Sequence, residues 1–277
     1  MPGKKSACDQ RQQLEVWREL IGHEALLTLS PARLLEARAK LTKRRNRYGK
    51  PISSSTVNRY LAALSHALTV AENTYSWVAQ NPMKKVPKLK EPKGRIRALT
   101  EEEIAQLLAA CKETGNADLE LVVLIALTSG MRKGEVLGLQ WDDILFDKGL
   151  AIVHEPKNGE RRGVVLLPVV VDALKKRKEV LETPEGLIFP NRLGTGPVDL
   201  KKPWASAVKK ANLQDFRFHD LRHTAATLIA KDGGSVPQIA TILGHKSFRM
   251  AARYAHLTEN HTRELLESAM QDITRDD

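Results

Sequence analysis

The sequence predicts a mainly α-helical fold with a small antiparallel β-sheet, split into two domains. Three observations lead there. Apolar residues recur at helical spacing over most of the 277 residues, and 42% hydrophobic against 5% aromatic content fits an aliphatic, soluble core. Three short β-prone segments fall together between residues 144 and 167 and nowhere else. The charge is also uneven: residues 1–97 hold 20 Lys and Arg against 7 Asp and Glu, a balance of +13, while residues 98–277 hold 24 against 26, a balance of −2. The whole +11 excess therefore sits in the first third, as expected of a grip on a polyanion such as nucleic acid.

In the first domain, residues 1–83, Leu14, Trp17 and Leu20-Ile21 fall on one helical face, and Gly22 follows as a stop. Ser30-Pro31 supplies an N-cap and an N1 proline for a second helix through Leu34, Leu35 and Leu41. That helix runs into the basic cluster Lys43-Arg44-Arg45-Asn46-Arg47. A third helix over 55–75 puts Val57, Leu61, Leu64, Leu68 and Ala71 on its inner face and Asn58, Arg59, Ser65 and His66 on the other. Residues 84–97 read as a basic linker, since the stretch from Met83 to Arg97 holds seven Lys or Arg and little apolar periodicity.

The second domain, residues 98–277, opens with a capping box, Thr100 and Glu103. An apolar helix over 119–128 and a second over 133–139 precede strands at 144–146, 150–154 and 163–167. Pro156, Lys157, Asn158 and Gly159 form the turn between the last two. Helices resume at 169–181, 200–211, 219–231, 236–243 and 259–273.

Several chemistries lack their residues. No run of about 18 apolar residues provides a membrane span, and Met1 to Gln10 has no apolar signal core. Cys8 and Cys111 match no metal or redox spacing, which points to a reduced, cytoplasmic setting. There is no Walker A loop. His23-Glu24 and His154-Glu155 lack the second histidine of a zinc protease, and Asp142, Asp143 and Asp147 read as a solvated turn. No metal or cofactor is expected.

Phosphodiester cleavage without a metal needs a nucleophile, an acid for the leaving oxygen, and cations for the two non-bridging oxygens. Arginine suits the last task, because its planar fork stays charged and bonds in two places. Thr128-Ser129-Gly130-Met131-Arg132 sets Arg132 just past a glycine turn, with Glu135 one turn on to orient the guanidinium. In Phe218-His219-Asp220-Leu221-Arg222-His223, His219 and Arg222 share a helical face, while His223 points about 100° away, as a buried histidine would. Leu243-Gly244-His245 sets a histidine after a glycine C-cap. Tyr254 follows nine residues later and is the only tyrosine of the second domain. Each segment alone has an ordinary structural reading: a surface arginine, a core histidine, an interface tyrosine.

Together and in this order, with Arg253-Tyr254-Ala255-His256 closing the set, the segments resemble the tyrosine recombinases, the phage-integrase family. The likeness covers 98–277 well. Ser55-Thr56-Val57-Asn58-Arg59-Tyr60-Leu61 looks like that family's core-binding helices, more loosely. The resemblance implies a helical core-DNA-binding domain, either naturally short or shortened at its N-terminus, since relatives that bind arm sites carry a further domain and their core-binding domain usually starts with another helix. It also implies a catalytic domain ending in an exchange helix. By it Arg132, Arg222, His219 and His245 hold the scissile phosphate, Tyr254 attacks to give a 3′-phosphotyrosine, and Lys157 is the general acid. Arg161 and Arg162 share that hairpin. Glu135 and His223 would support these groups, while Arg44, Arg45, Asn58, Arg59, Lys84, Lys85 and Arg95 would contact DNA. The implied partners are double-stranded DNA with specific recombination sites, three further copies of the chain in a homotetramer, and accessory DNA-bending proteins. Two alternatives share the scaffold: type IB topoisomerase-like relaxation, and a catalytically silent DNA-binding protein.

Overall fold

The structure is a computed structural model that describes residues 6–92, 94–154, 161–180 and 185–258. It comprises two compact units, meeting in sequence between Gly94 and Arg95.

The first unit is a three-helix assembly: α1 (Ser6–Ile21), α2 (Pro31–Thr42) and α3 (Ser54–Asn73). The Ser30 side chain accepts from the Arg33 N–H, and Pro31 needs no partner at N1, so α2 starts where the sequence says. Ser53 caps α3 in the same way through the Thr56 N–H. Trp17, Leu34, Leu41, Val57, Leu61 and Leu68 form the core. Trp17 also donates its indole N–H to the Tyr60 carbonyl at 2.8 Å, so this large ring is buried without an orphaned donor.

The basic stretch after Met83 is not a free linker throughout. Val86 is buried in the first unit's core, Arg38 donates to the Pro87 carbonyl, and the Leu89 N–H donates to Asn58 Oδ1 at 2.8 Å. Arg97 pairs with Glu103 inside the second unit. Composition alone missed this, because two apolar residues in a lysine-rich run are enough to anchor it.

The second unit is built round α5 (Leu119–Ser129), whose Leu119, Val122, Val123, Ile125 and Ala126 are all fully buried. A helix apolar on every face belongs at a centre. It packs against α4 (Glu101–Lys112), α6 (Lys133–Leu137), α7 (Pro168–Glu179) and α9 (Asp220–Lys231), with α8 (Lys201–Lys210) against α4. The Thr100–Glu103 capping box is present. β1 (Ile144–Leu145), β2 (Leu150–His154) and β3 (Arg161–Val165) form one antiparallel sheet in that order, with Val153 opposite Arg162.

Three strand bounds differ from the sequence reading, the first being that β3 starts at Arg161 and not at 163. Phe146–Lys148 is a 3₁₀ turn that closes on Gly149 at φ 58°, which ends β1 early. β3 stops at Val165 because Pro168, with no N–H and a fixed φ, begins α7 and takes Leu167 as its N-cap.

A second apolar cluster joins α9 to α10 (Val236–Leu243), α11 (Phe248–Ala251) and the 3₁₀ helix Ala252–Thr258. Its members include Ala226, Ala230, Ile239, Leu243, Ala251 and Tyr254. The predicted helix over 259–273 lies outside the described residues. Among the described residues no helix is long and apolar enough to cross a membrane.

Candidate active site

The site forms where α5, α6, α9, β3 and the α10–α11 turn approach one another. α5 ends at Gly130, which has φ 65° and whose added Cβ would lie 2.3 Å from Leu243 Cδ2. Only glycine meets both conditions. The chain turns there and sets Arg132 at the N-cap of α6.

Glu135 then gathers three donors. Its Oε1 accepts from Arg132 Nη1 at 2.7 Å; its Oε2 accepts from the Arg132 backbone N–H at 2.9 Å and from Arg162 Nη2 at 2.8 Å. Burial pushes the Glu135 carboxyl up, but the Arg132 bonds and the nearby Arg162 charge outweigh it and hold the group below the ordinary carboxylate range.

Arg222 is 4% exposed, on the first turn of α9. Its Nη1 donates to the Gly130 carbonyl at 2.8 Å, while its Nη2 is buried with no partner among the described residues. Burial first, then the Arg132 charge, lowers its pKa to about 10, so it stays cationic at neutral pH. α9 itself is anchored by buried Thr224, which donates to the Asp220 carbonyl and accepts from the Leu99 N–H.

Three histidines join this cluster. His219 is the N-cap residue of α9, one position outside the helix expected from 219, and it keeps an open face to solvent. Its pKa is lowered by surrounding protein, then by Arg222 and Arg132. His245 follows Gly244, which has φ 64°; a Cβ on Gly244 would lie 2.6 Å from Arg162 Nε. Its Nδ1 is buried without a partner among the described residues, and burial, then Arg222 and Arg132, lowers its pKa to about 4. His223 sits edge-to-face with His219, ring centres 5.2 Å apart.

Tyr254 is 1% exposed. Its hydroxyl lies 2.5 Å from His223 Nδ1. Burial raises the phenol pKa, and the charges of Arg253 and Arg222 oppose that rise.

The structure thus brings together Arg132, Glu135, His219, Arg222, His223, His245 and Tyr254. Lys157 lies outside the described residues, between β2 and β3. His223, expected as a hydrogen-bonded residue supporting the site, bonds the tyrosine hydroxyl directly, because Tyr254 arrives on a separate element packed against α9. Arg162 was missed as a site residue. Strand alternation held the signal, since Arg162 shares a face of β3 with buried Val164.

The expected DNA contacts divide. Arg59 and Lys85 are exposed, Arg45 donates to the Gly49 carbonyl, and Arg44 and Lys84 form surface ion pairs with Glu19 and Glu72. Asn58 is a correction. It is 6% exposed, and its amide donates to the Leu89 carbonyl and Glu91 while its oxygen accepts from the Leu89 N–H, so nothing remains for DNA. Arg95 is a second correction, because it is tied to Asp215 and to buried Asp220 within the second unit.

The chain thus has a helical fold with a small sheet, with Arg132 and the buried, unfilled Arg222 Nη2 close to the Tyr254 hydroxyl. Residues 97–261 match the model of the phage integrase family, and the chain belongs to that family, the tyrosine recombinases. It is 28% identical over 295 residues to the integrase of Salmonella phage P22, covering 94% of this chain and 74% of that one. It is 34% identical over 212 residues to a shufflon-specific DNA recombinase of Escherichia coli, covering 76% of this chain and 53% of the relative. Among solved structures, the Tn1549 transposon integrase (residues 82–397) in complex with circular intermediate DNA aligns with TM-score 0.75 at 20% identity, covering 96% of this chain and 94% of that one. A λ integrase (75–356) dimer bound to a COC′ core site aligns at 0.69 and 22%, covering 90% and 91%. These structural likenesses establish the fold.

Proposed function

We propose that the chain is a site-specific DNA recombinase that cuts and rejoins double-stranded DNA through a 3′-phosphotyrosine on Tyr254, to integrate or excise a mobile element. One observation carries the reading: the buried Arg222 Nη2 has no partner among the described residues, in a cluster that also holds the Tyr254 hydroxyl and Arg132. A buried, unfilled guanidinium donor is costly unless an anion fills it, and a phosphodiester oxygen has the right charge and geometry.

In this mechanism Arg132 and Arg222 take the two non-bridging oxygens, aided by His219 and His245. The Tyr254 oxygen forms a bond to phosphorus as the bond to the 5′ oxygen breaks, and Lys157 protonates that leaving oxygen. The role of Lys157 rests on the family resemblance. Because the phosphotyrosine conserves the energy of the broken diester, a 5′-hydroxyl from another strand can reverse the step without ATP. Each transition-state donor lost should cost about 10²–10³ in rate.

The same reading assigns residues 1–83 to core-DNA binding, 84–97 to a basic connection, and 98–277 to catalysis. Arg44, Arg45, Arg59, Lys84 and Lys85 would face the backbone; the surface pairs of Arg44 and Lys84 are weak enough to be exchanged for phosphate. The segment 259–273 would dock on a neighbouring copy in a DNA-bound homotetramer, with accessory DNA-bending proteins assisting.

The test is covalent capture. Nicked duplexes from a randomised pool, which lose their short leaving strand on cleavage, should become attached to the wild-type chain and yield a common sequence. Tyr254→Phe should capture none. A wild-type chain that only binds DNA, without attachment, would overturn the proposal.

A further inference from the structure

The cleavage step above leaves one proton unassigned, that of the attacking phenol. We propose that His223 is the catalytic residue that takes it: Nδ1 of His223 receives the Tyr254 hydroxyl proton as the oxygen–phosphorus bond forms, and returns it when the phosphotyrosine is resolved. The inference rests on the recombinase reading and deepens it.

The geometry is direct. His223 Nδ1 lies 2.5 Å from the Tyr254 hydroxyl, the contact a general base needs before any transfer. With its own proton on Nε2, a neutral imidazole leaves Nδ1 free to accept from the phenol O–H. His219 stands edge-on to the His223 ring. The groups that act on His223 are His219 at the N-cap of α9, Asp220 and Arg222 from α9, and Arg253 from the 3₁₀ helix. Burial, then His219 and Arg253, lowers its pKa to about 4, so it is neutral and able to accept at pH 7.

The protons balance in both directions. On cleavage the phenol proton moves to His223 and the leaving 5′ oxygen takes one from the general acid. On rejoining, the incoming 5′-hydroxyl returns a proton to that acid, and the departing tyrosine oxygen recovers its own from His223. Nothing is oxidised or reduced, and no further reactant is needed.

The experiment uses the full chain and a nicked duplex fixed by the capture selection, with single-turnover attachment as the readout. His223→Gln should slow attachment about 10²-fold, within the range typical of general-base loss, while DNA affinity stays within about threefold. Position 254 is then filled, by amber suppression, with tyrosine or with a fluorinated tyrosine whose phenol is more acidic. The more acidic phenol needs less help, so the His223→Gln defect should shrink at least about fivefold. Both phenols sit in the same variant, so a general loss of folding cancels. An equal defect with both phenols would overturn the proposal. So would His223→Gln attaching as fast as wild type, or faster, which would make the contact a resting latch. A wild-type chain that forms no adduct would instead remove the recombinase reading itself.

Discussion

Replacing Glu135 by Gln tests how the phosphate clamp is held. The carboxylate accepts from Arg132 Nη1 on one oxygen, and from the Arg132 backbone N–H and Arg162 Nη2 on the other. Its depressed pKa keeps it ionised at neutral pH, so the substitution removes a real charge. A glutamine has one acceptor oxygen. If its amide faces Arg132 Nη1, two donors meet; if it is flipped, the backbone N–H and Arg162 lose their acceptor. Either way at least one charge-assisted bond of about 1.5–3 kcal/mol disappears. If Arg132 must be fixed in the transition state, that loss converts to about 10–10² in rate, at 1.36 kcal/mol per decade. Arg132 is 39% exposed and Arg162 19%, so screening trims the stability cost more than the orientational one. Single-turnover attachment to a nicked duplex should therefore fall about 10–10²-fold with affinity within about threefold. Arg162→Ala should give a similar loss, and the double variant should be little worse than either single, because both act on one guanidinium. A Glu135→Gln rate within about twofold of wild type, or fully multiplicative losses, would refute the reasoning.

Two further outcomes follow from charge. His223 and His245 drop from 6.5 to about 4 on folding, so the unfolded chain binds more protons between those values. Stability should be full above about pH 6.5, decline as pH falls towards 4, and level off below; urea unfolding at pH 7 and pH 5 should differ by about 1–3 kcal/mol after screening, and the double His→Gln variant should flatten the difference. If residues 1–97, with their +13 balance, neutralise about 6–10 phosphates, affinity should fall about 10³–10⁵-fold between about 50 and 200 mM salt. Titration by fluorescence anisotropy would show it, and a flat salt response would contradict it.

Much of the fold was legible because local signals agreed with one another. Ser30-Pro31 and the Thr100–Glu103 box start helices by satisfying N–H groups that any helix leaves open, and Gly130 and Gly244 end helices at positive φ. Arg132, Glu135 and Arg222 could be read because short-range spacing places each on its element. What stayed hidden depends on contacts between distant elements. A helical wheel puts His223 off the Arg222 face, and nothing in its neighbourhood tells that Tyr254 will pack there from 31 residues away. Asn58 reads as an outward polar residue until residues 86–91 fold back over α3 and engage its amide. Arg162 pairs with a carboxylate 27 residues earlier, and only its inward place in β3 hinted at burial.

The most direct measurement is mass spectrometry of the trapped DNA–protein adduct after protease and nuclease digestion. A nucleotide joined through its 3′-phosphate to the peptide bearing Tyr254, with a free 5′-hydroxyl on the released strand, is the predicted result. Attachment at any other residue, linkage through a 5′-phosphate, or cleavage that leaves no nucleotide on the protein would contradict it.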